Sequence, residues 1–293
     1  MLVTLLNIII PVFAVTGLGY LFARRRGAGP EMDFINTVNV HLFCPALIFS
    51  ALLANPVDWS SGWMLVLGGT VIILLPGLLL YRLAPAGMSQ PAFLMTGMFR
   101  NTGNMGIPLM MLAYGKDMLG DIIVLFVVSN TLHFSVGIWL ISRSRGAWGW
   151  LRNPNVWAAV LGLLCARWRA EIPLFVETTA EMLGQVSIPL MLFSLGVRMA
   201  SGKISRPGLA LRINLMYLLA GLASAALVVL VLPLPADWMK LLVLSAALPP
   251  AVLNYLLSEQ YRTDAGIVAS VVLLGNLLSV LVLPPVIALT LSW

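Results

Sequence analysis

The stretch FRNTGNMGIP, at positions 99–108, gathers polar and helix-breaking residues inside otherwise apolar sequence. Arg100 supplies a fixed positive charge that can contact a carboxylate through two parallel hydrogen bonds. Asn101 and Asn104 add amide groups that both donate and accept hydrogen bonds. These residue types at this spacing predict a binding position for a small anion within an apolar chain.

Three residues of the same stretch, Gly103, Gly106 and Pro108, oppose a continuous helix. Glycine lowers helix propensity, and proline removes a backbone donor and disfavours helix at the residue before it. Backbone groups freed by a break cost several kcal/mol each in lipid unless they find partners. The sequence therefore predicts a helix that is interrupted near the bilayer centre, where protein or water surrounds it.

A second candidate interruption lies in the segment LPPAVLN, which contains Pro249, Pro250 and Asn254. A single proline in a membrane helix is often only a kink, whereas matched interruptions in two halves of a chain indicate a transport site. If two interrupted helices cross, their inner N-termini favour an anion and their inner C-termini favour a cation. The pair of breaks predicts such a crossing.

The composition confines the chain to a membrane. Of its 293 residues, 60% are hydrophobic and 10% are charged, and the mean hydropathy is +0.98. A helix needs about 20 apolar residues to cross a hydrocarbon core of roughly 30 Å. The basic residues are scattered over short loops, so no nucleic-acid-binding face is expected. Ten apolar segments follow one another, at 3–23, 34–53, 62–82, 90–114, 120–142, 154–168, 176–199, 209–232, 238–258 and 264–291.

The distribution of the 17 Lys and Arg residues predicts the orientation, because cytoplasmic loops are enriched in them. Ten crossings with both termini outside, in a prokaryote-type inner (plasma) membrane, place most of these charges in the cytoplasm. The inside loops would carry Arg24, Arg25, Arg26, Arg82, Arg143, Arg145, Arg152, Arg198, Lys203, Arg206, Arg212 and Arg262. The outside loops would carry Lys116, Arg167, Arg169 and Lys240, with Arg100 left inside a helix.

The two halves of the chain resemble each other. PALIFS at 45–50 is similar to PLMLFS at 189–194, and Asn130 and Asn276 lie inside the corresponding segments five and ten. Because five is an odd number, a second five-helix repeat would enter the membrane with opposite polarity. The predicted fold is an all-α polytopic membrane protein of ten transmembrane helices, with helices 4 and 9 broken and crossing. The predicted repeats are residues 1–146 and 147–293.

His133 is the candidate for coupling transport to protons, since no Asp or Glu lies at a mid-membrane position. It follows Asn130 by three residues and so lies near it on one helix face. A neutral histidine that is hydrogen-bonded within the bundle is the alternative. Asn130 and Asn276 are further candidates for proton or ion coupling.

An intramembrane enzyme would need paired acids, a nucleophile with a base, or a cluster of metal ligands. The apolar segments offer none of these, and Cys44 and Cys165 suit buried positions better than a metal site or a disulfide. We therefore expect no enzyme activity, no metal and no cofactor, with H⁺ or Na⁺ left open as a coupling ion.

The quoted residues resemble the auxin efflux carrier family of secondary transporters, and in particular its prokaryote-type organic-acid permeases. The resemblance covers nearly the whole chain and rests on RNTGNMGIPL with AYG, NPNVWAAVLGL, IPLMLFSLGVRM, and the block from LPPAVLN to LVLP. It implies a fold like that of the bile acid/sodium symporters, with scaffold and transport parts drawn from both repeats. It also implies carriage of carboxylate anions, which are auxin in plant members and acids such as malate or malonate in prokaryote-type members. The chain has no long hydrophilic central loop, which argues against auxin itself.

The resemblance and the residues together predict a secondary active transporter for a small organic anion. The expected substrate-binding residues are Asn101, Asn104, Arg100 and Asn254, and the expected helix-break residues are Gly103, Gly106, Pro108, Pro249 and Pro250. A cation-coupled antiporter and a ligand-sensing membrane protein of the same fold are the alternatives. The expected partners are the anion and membrane lipid, without nucleic acid, and a homodimer is left open.

Overall fold

The structure, a computed structural model, describes residues 2–27, 31–55, 62–142, 149–168 and 171–293. Within these ranges the chain is helical and contains no strand beyond one isolated backbone bridge. The expectation of an all-α polytopic protein is therefore confirmed for this part of the chain. The α-helices are α1 Leu2–Arg26, α2 Glu31–Val38, α3 Cys44–Ala54, α4 Gly62–Leu79, α5 Gln90–Met98, α6 Ile107–Tyr114, α7 Leu119–Leu132, α8 Ile138–Ser142, α9 Pro154–Trp168, α10 Leu174–Ser201, α11 Pro207–Val231, α12 Ala236–Ala247, α13 Val252–Gln260 and α14 Ala265–Leu291.

Seven of the described helical stretches are long and apolar enough to cross a membrane. Some combine two α-helices through a π-helical turn, as α7 and α8 do through His133–Gly137. Two further predicted segments are each divided into a pair of shorter helices, α5 with α6 and α12 with α13, and α9 has 15 residues. The ten-helix inverted repeat stays a prediction. Its proposed boundary at 146/147, like Arg143, Arg145 and Arg169, lies outside the described residues.

The first interruption lies earlier than the positions of its helix-breaking residues indicate. It occupies 99–101, whereas Gly103 and Gly106 belong to the π-helical turn Thr102–Gly106 that follows. Pro108 lies in the first turn of α6, directly after this π-helical turn, and lacks the N–H that would continue the hydrogen bonding begun by Ile107 N–H to Thr102 O. The reason for the shift is that Phe99 N–H still donates to Met95 O in the preceding turn, whereas Phe99 O and Asn101 N–H pair with the second interruption. The second interruption, at 248–251, contains both prolines of the segment LPPAVLN.

The helices form two groups. The first group comprises α1, α2, α3, α9 and α10, and the second comprises α4 to α8 and α11 to α14. The groups meet where α1 contacts α6 and α14, where α3 and α9 contact α7, and where α10 contacts the π-helical turn Thr102–Gly106. The interrupted helices thus belong to the second group but face the first.

Small residues allow the long helices of the first group to approach closely. A Cβ atom added at Gly19 in α1 would collide with the backbone of Phe193 in α10, and one added at Gly196 would collide with the backbone of Thr16. Close backbone approach through glycine is a common way for membrane helices to associate, because lipid supplies no hydrophobic driving force between them. The α1–α10 pair is therefore a rigid element beside the interrupted helices.

Candidate functional site

The two interrupted helices cross at their interruptions and pair there through backbone hydrogen bonds. The Asn101 N–H donates to Pro249 O at 2.8 Å, and the Ala251 N–H donates to Phe99 O at 3.0 Å. The pairing is antiparallel, as in a minimal two-stranded sheet. Each interruption thus satisfies groups that the other leaves without a helical partner, which makes the break tolerable at this depth.

Three asparagine side chains complete the crossing. Asn254 donates from Nδ2 to Phe99 O at 2.9 Å, and Asn276 donates from Nδ2 to Pro250 O at 3.2 Å. Asn101 in turn donates from Nδ2 to Asn276 Oδ1 at 2.8 Å. All three residues are buried, with exposed fractions of 3% or less. Their amides therefore hold the two interruptions together through hydrogen bonds.

Arg100 lies at the same crossing, with only 6% of its surface exposed. Its guanidinium donates to the backbone carbonyls of Tyr217 and of Leu248, the latter at 3.5 Å from Nη1. It also lies 6.0 Å from the centre of the Tyr217 ring, within the range of a cation–π interaction. The single ion pair among the described residues joins Lys240 and Asp237, so Arg100 has no carboxylate partner there. The structure thus directs this charge to backbone carbonyls.

Packing leaves little room for a side chain at the glycines after the first interruption. A Cβ atom at Gly103 would lie 2.9 Å from Phe126 Cε2, and one at Gly106 would lie 2.8 Å from Leu248 Cδ1. Both distances are shorter than ordinary van der Waals contact. Glycine at these positions lets the π-helical turn fit between α7 and the end of α12.

A cavity of about 220 Å³, the central cavity, lies between the two helix groups beside the crossing. Both second halves of the interrupted helices begin at its wall, through residues 102–104 and 251–253. The first turns of helices have backbone N–H groups without helical partners. Among the described residues, the side chains that line the cavity include seven asparagines but neither Asp nor Glu. The polar and charged members of the lining are Asn36, Asn39, Arg100, Asn101, Thr102, Asn104, Ser129, Asn130, His133, Asn153, Asn155, Ser194 and Arg198.

Several polar atoms at the cavity wall lack a hydrogen-bond partner among the described residues. They are His133 Nε2, Asn155 Oδ1 and Ser194 Oγ, each nearly inaccessible to solvent. A buried polar atom without a partner is costly and native proteins contain few of them. Such a cluster around one cavity is the expected signature of a position that a polar ligand or water fills.

His133 begins the π-helical turn at the end of α7 and is 3% exposed. Its ring stacks on Phe99 with ring centres 4.2 Å apart and planes 6° from parallel. The Asn254 amide interacts with the ring, yet neither His133 Nε2 nor Asn254 Oδ1 makes a well-directed hydrogen bond to any described residue. This histidine is thus in contact with the crossing itself and not merely with the cavity.

The predicted site residues divide into two sets. Asn101, Asn104, Asn130 and His133 line the central cavity, as does Arg100 despite its backbone contacts. Asn254 is fully buried at the crossing and is not part of that lining. Asn276 lines a neighbouring space of about 620 Å³, the α13–α14 cavity, together with Arg198, Lys203, Tyr255 and Glu259.

Sequence reasoning did not find several polar residues of the cavity wall, among them Asn39, Asn153, Asn155 and Arg198. Asn39 lies in a π-helical turn between α2 and α3, and its Oδ1 accepts from Ser187 at 2.9 Å. An asparagine inside an apolar segment is itself a signal for a polar site, as it was for the asparagines of segments five and ten. In the sequence, Arg198 is explained as one of the basic residues that set the orientation of the chain in the membrane. Its position at the central cavity is seen only in the fold.

A third cavity of about 700 Å³, the α3–α10 cavity, lies towards the opposite end of α3 and α10. Leu47 and Ile188 line it, whereas Cys44 and Met191 line the central cavity. In each helix these positions are three residues apart, which is about one turn. Along α3 and α10, the linings of the two cavities are thus about one helical turn apart.

The described residues contain no group of three or more His, Cys, Asp or Glu side chains that are placed to hold a metal ion. The polar groups of the central cavity are amides, hydroxyls, an imidazole and guanidinium groups. This donor set suits an oxygen-rich anion better than a divalent cation, which prefers carboxylate ligands.

Comparison with known proteins agrees with this geometry. A family described as "Membrane transport protein" matches the chain at residues 4–150 and again at 146–287. The "Putative malonate transporter" of Rhizobium meliloti (strain 1021) is 28% identical over 94% of this chain and 92% of its own length. The "Probable auxin efflux carrier component 5b" of Oryza sativa subsp. japonica is 35% identical over 45% of this chain and 38% of its own length. "Auxin efflux carrier component 5" of Arabidopsis thaliana is 29% identical over 46% of this chain and 41% of its own length.

The matched regions together cover almost the entire chain, including both interrupted helices and the residues of the central cavity. The seven apolar helices and the family agree that this is an integral membrane protein. The chain is a member of the auxin efflux carrier family of membrane transport proteins.

Proposed function

We propose that this transporter is a secondary active carrier of a small organic carboxylate anion such as malate or malonate. The observation that carries the proposal is that the N-terminal ends of both second half-helices, 102–104 and 251–253, line one cavity in which no described lining residue is acidic. Helix N-termini present unpaired N–H groups and a partial positive charge, and so favour a carboxylate. Their convergence from two interrupted helices is a recurrent design of secondary transporters.

The side chains of the central cavity suit the same ligand. Asn104 and Asn130 are half-buried at the wall and offer amide donors, while Asn101 holds the crossing in place. Arg198 lines both the central cavity and the α13–α14 cavity, so it places a positive charge where the two spaces meet. We assign the amides to substrate contact and Arg198 to attraction of the anion.

The size of the cavity and the comparisons favour a small acid. A space of about 220 Å³ lies below the range of about 300–1,000 Å³ that is typical of sites for drug-sized ligands. The relative named for malonate aligns over nearly the full length of both proteins, whereas the two plant relatives named above each align over less than half of either chain. Both points support a short-chain acid over auxin.

The inverted repeat belongs to this proposal. Seven long apolar stretches, two interrupted pairs and the 15-residue α9 add up to ten crossings. The two matches to the family, 4–150 and 146–287, divide the chain near the proposed boundary between 1–146 and 147–293. With both termini outside an inner (plasma) membrane, the α13–α14 cavity faces the cytoplasm and the α3–α10 cavity faces outwards.

Transport would then proceed by movement of the second helix group, the transport part, against the first group, the scaffold. The crossing is internally bonded, so it moves as a unit. Along α3 and α10, the linings of the central cavity and the α3–α10 cavity are about one helical turn apart. A modest shift of the transport part would therefore be enough to expose the substrate to the other side of the membrane. We propose His133, Asn130 and Asn276 as the residues through which H⁺ or another ion is coupled to this shift.

Counterflow in proteoliposomes tests the function. Vesicles are loaded with unlabelled malonate or malate, labelled acid is added outside, and its accumulation is followed. Exchange needs no coupling gradient, so a carrier gives a transient accumulation that Asn104→Ala reduces at least tenfold. The matched control is Asn7→Ala, whose residue is exposed in α1.

The alternatives predict different results. A ligand-sensing protein binds the acid without counterflow, and a cation antiporter exchanges labelled cations with no response to acids. If no acid in a panel of mono- and dicarboxylates exchanges, the proposed function is wrong. If acids exchange but Asn104→Ala retains the wild-type rate, the assignment of the site is wrong.

A further inference from the structure

The guanidinium of Arg100 lies at the C-terminal end of the first half of the second interrupted helix. Leu248 is the C-terminal cap of α12, and its carbonyl accepts from Arg100 Nη1 at 3.5 Å. The last carbonyls of a helix have no helical partner and carry a partial negative charge. A cation at this end of the helix is therefore favoured by both hydrogen bonding and the helix dipole.

The other interrupted helix ends beside the same charge. Its first half, α5, ends at Met98, two residues before Arg100. The pairing of Asn101 N–H with Pro249 O holds the two ends together. Arg100 thus extends from the end of one first half, and its guanidinium bonds to the end of the other.

The charge of Arg100 is compensated by carbonyls and an aromatic ring instead of an acid. Besides Leu248 O, its partners are the carbonyl and the ring face of Tyr217. Tyr217 is itself fixed, since its hydroxyl donates to Phe93 O at 2.7 Å. A buried charge is costly unless its surroundings compensate it. Carbonyl oxygens and a ring face are the groups that recognise a small monovalent cation.

We propose that Arg100 fills, as a tethered guanidinium, the cation position between the C-terminal ends of the two interrupted helices. The carrier then binds no free Na⁺ at the crossing, and truncation of Arg100 leaves a site for a small monovalent cation, best matched by guanidinium. The cation position is inferred from the geometry of the crossing alone. The conclusion about ion coupling also rests on the proposed function.

A further cavity borders this position. A cavity of about 240 Å³, lined by Arg100, Asn214, Leu248 and Pro250, lies on the side of α11 and α14. Among the described residues, Arg100 alone lines both this cavity and the central cavity.

Thermal unfolding of the full chain in detergent tests the cation position without any substrate. The proteins compared are wild type, Arg100→Ala, Arg100→Lys and, as a matched control, Arg212→Ala, whose arginine is exposed on α11. Each is measured with millimolar guanidinium, sodium, potassium or choline chloride at constant ionic strength. We expect guanidinium to raise the Tm of Arg100→Ala saturably by a few degrees, and to leave wild type, Arg100→Lys and Arg212→Ala unchanged.

Two results overturn the inference. One is an Arg100→Ala protein that folds but responds to none of the cations, which shows that truncation leaves no cation site. The other is a saturable increase in the Tm or counterflow rate of wild type with Na⁺ in place of choline, and this result is decisive even if Arg100→Ala does not fold. If guanidinium raises the Tm of Arg100→Ala but no acid is exchanged, the cation position is supported and the proposed function is wrong. Failure of this inference and failure of the proposed function are therefore distinguishable.

Discussion

Asn101 donates from Nδ2 to Asn276 Oδ1 at 2.8 Å, which joins the first interrupted helix to the last helix of the chain. Asn276 extends the connection, since its own Nδ2 donates to Pro250 O at 3.2 Å and to Val272 O at 2.8 Å. One amide thus links α14 with both interruptions. The geometry of the crossing depends on a side chain outside either interrupted helix.

Asn276→Ala is expected to lower the free energy of unfolding by about 1–3 kcal/mol, because it leaves the Asn101 amide and the Pro250 carbonyl buried without partners. The loss is measured by thermal unfolding in detergent followed by circular dichroism. Asn7→Ala, at an exposed position of α1, serves as the control and should stay within about 0.5 kcal/mol of wild type. Adding Asn101→Ala to Asn276→Ala should cost less than the sum of the single changes. Strict additivity would show that the two amides do not interact.

Gly19→Ala tests the close approach of α1 to α10. The new Cβ atom meets the backbone at Phe193, which cannot rotate away as a side chain does, so the expected destabilisation is about 1–3 kcal/mol. Gly17→Ala, two residues away on the same helix, places its Cβ in open space. The control should be neutral or more stable, since alanine exceeds glycine in helix propensity by about 1 kcal/mol. Equal effects of the two changes would contradict the observed helix contact.

Arg198→Gln is expected to weaken the apparent affinity for the anion by roughly threefold to tenfold, which corresponds to about 0.6–1.4 kcal/mol. The reason is loss of a positive charge where the central and α13–α14 cavities meet. The KM for counterflow is measured at low and at high ionic strength. Salt should reduce the difference between variant and wild type, because it screens partly exposed charges. Arg212→Gln removes an equal charge from the exposed surface of α11, and an equal rise in KM there would reject a specific role for Arg198.

The helical segments could be predicted from the sequence because the length and hydropathy of an apolar segment determine whether it forms a membrane helix. The predicted 154–168 and 264–291 correspond to Pro154–Trp168 and Ala265–Leu291, since lipid forces an apolar segment to satisfy its backbone internally. The exact place of the first interruption was not accessible. It depends on the backbone pairing of Asn101 with Pro249, a contact between residues far apart in the chain.

The candidate site could likewise be predicted from the sequence only in part. Asparagines in apolar surroundings drew attention to Asn101, Asn104 and Asn130, and all three line the central cavity. Arg198 escaped notice because a basic residue at the end of an apolar segment is usually explained by membrane topology. The direction of the Arg100 guanidinium, towards the Tyr217 and Leu248 carbonyls, follows from packing that no local sequence pattern encodes.

Removal of the His133 ring tests its proposed part in proton coupling. The ring is buried against Phe99 and contacts the Asn254 amide, so a change in its charge would act directly on the crossing. Histidine is the side chain whose ordinary titration falls between about pH 5 and 8. If His133 carries the proton, His133→Gln should flatten the dependence of acid-gradient-driven uptake on pH in that interval while counterflow at constant pH persists. His41→Gln is the matched control, because His41 is the other histidine of the chain and is exposed, with its ring bonded to Thr37 O. A His133→Gln carrier with the same pH profile as wild type and His41→Gln would show that His133 is a packed, neutral member of the crossing.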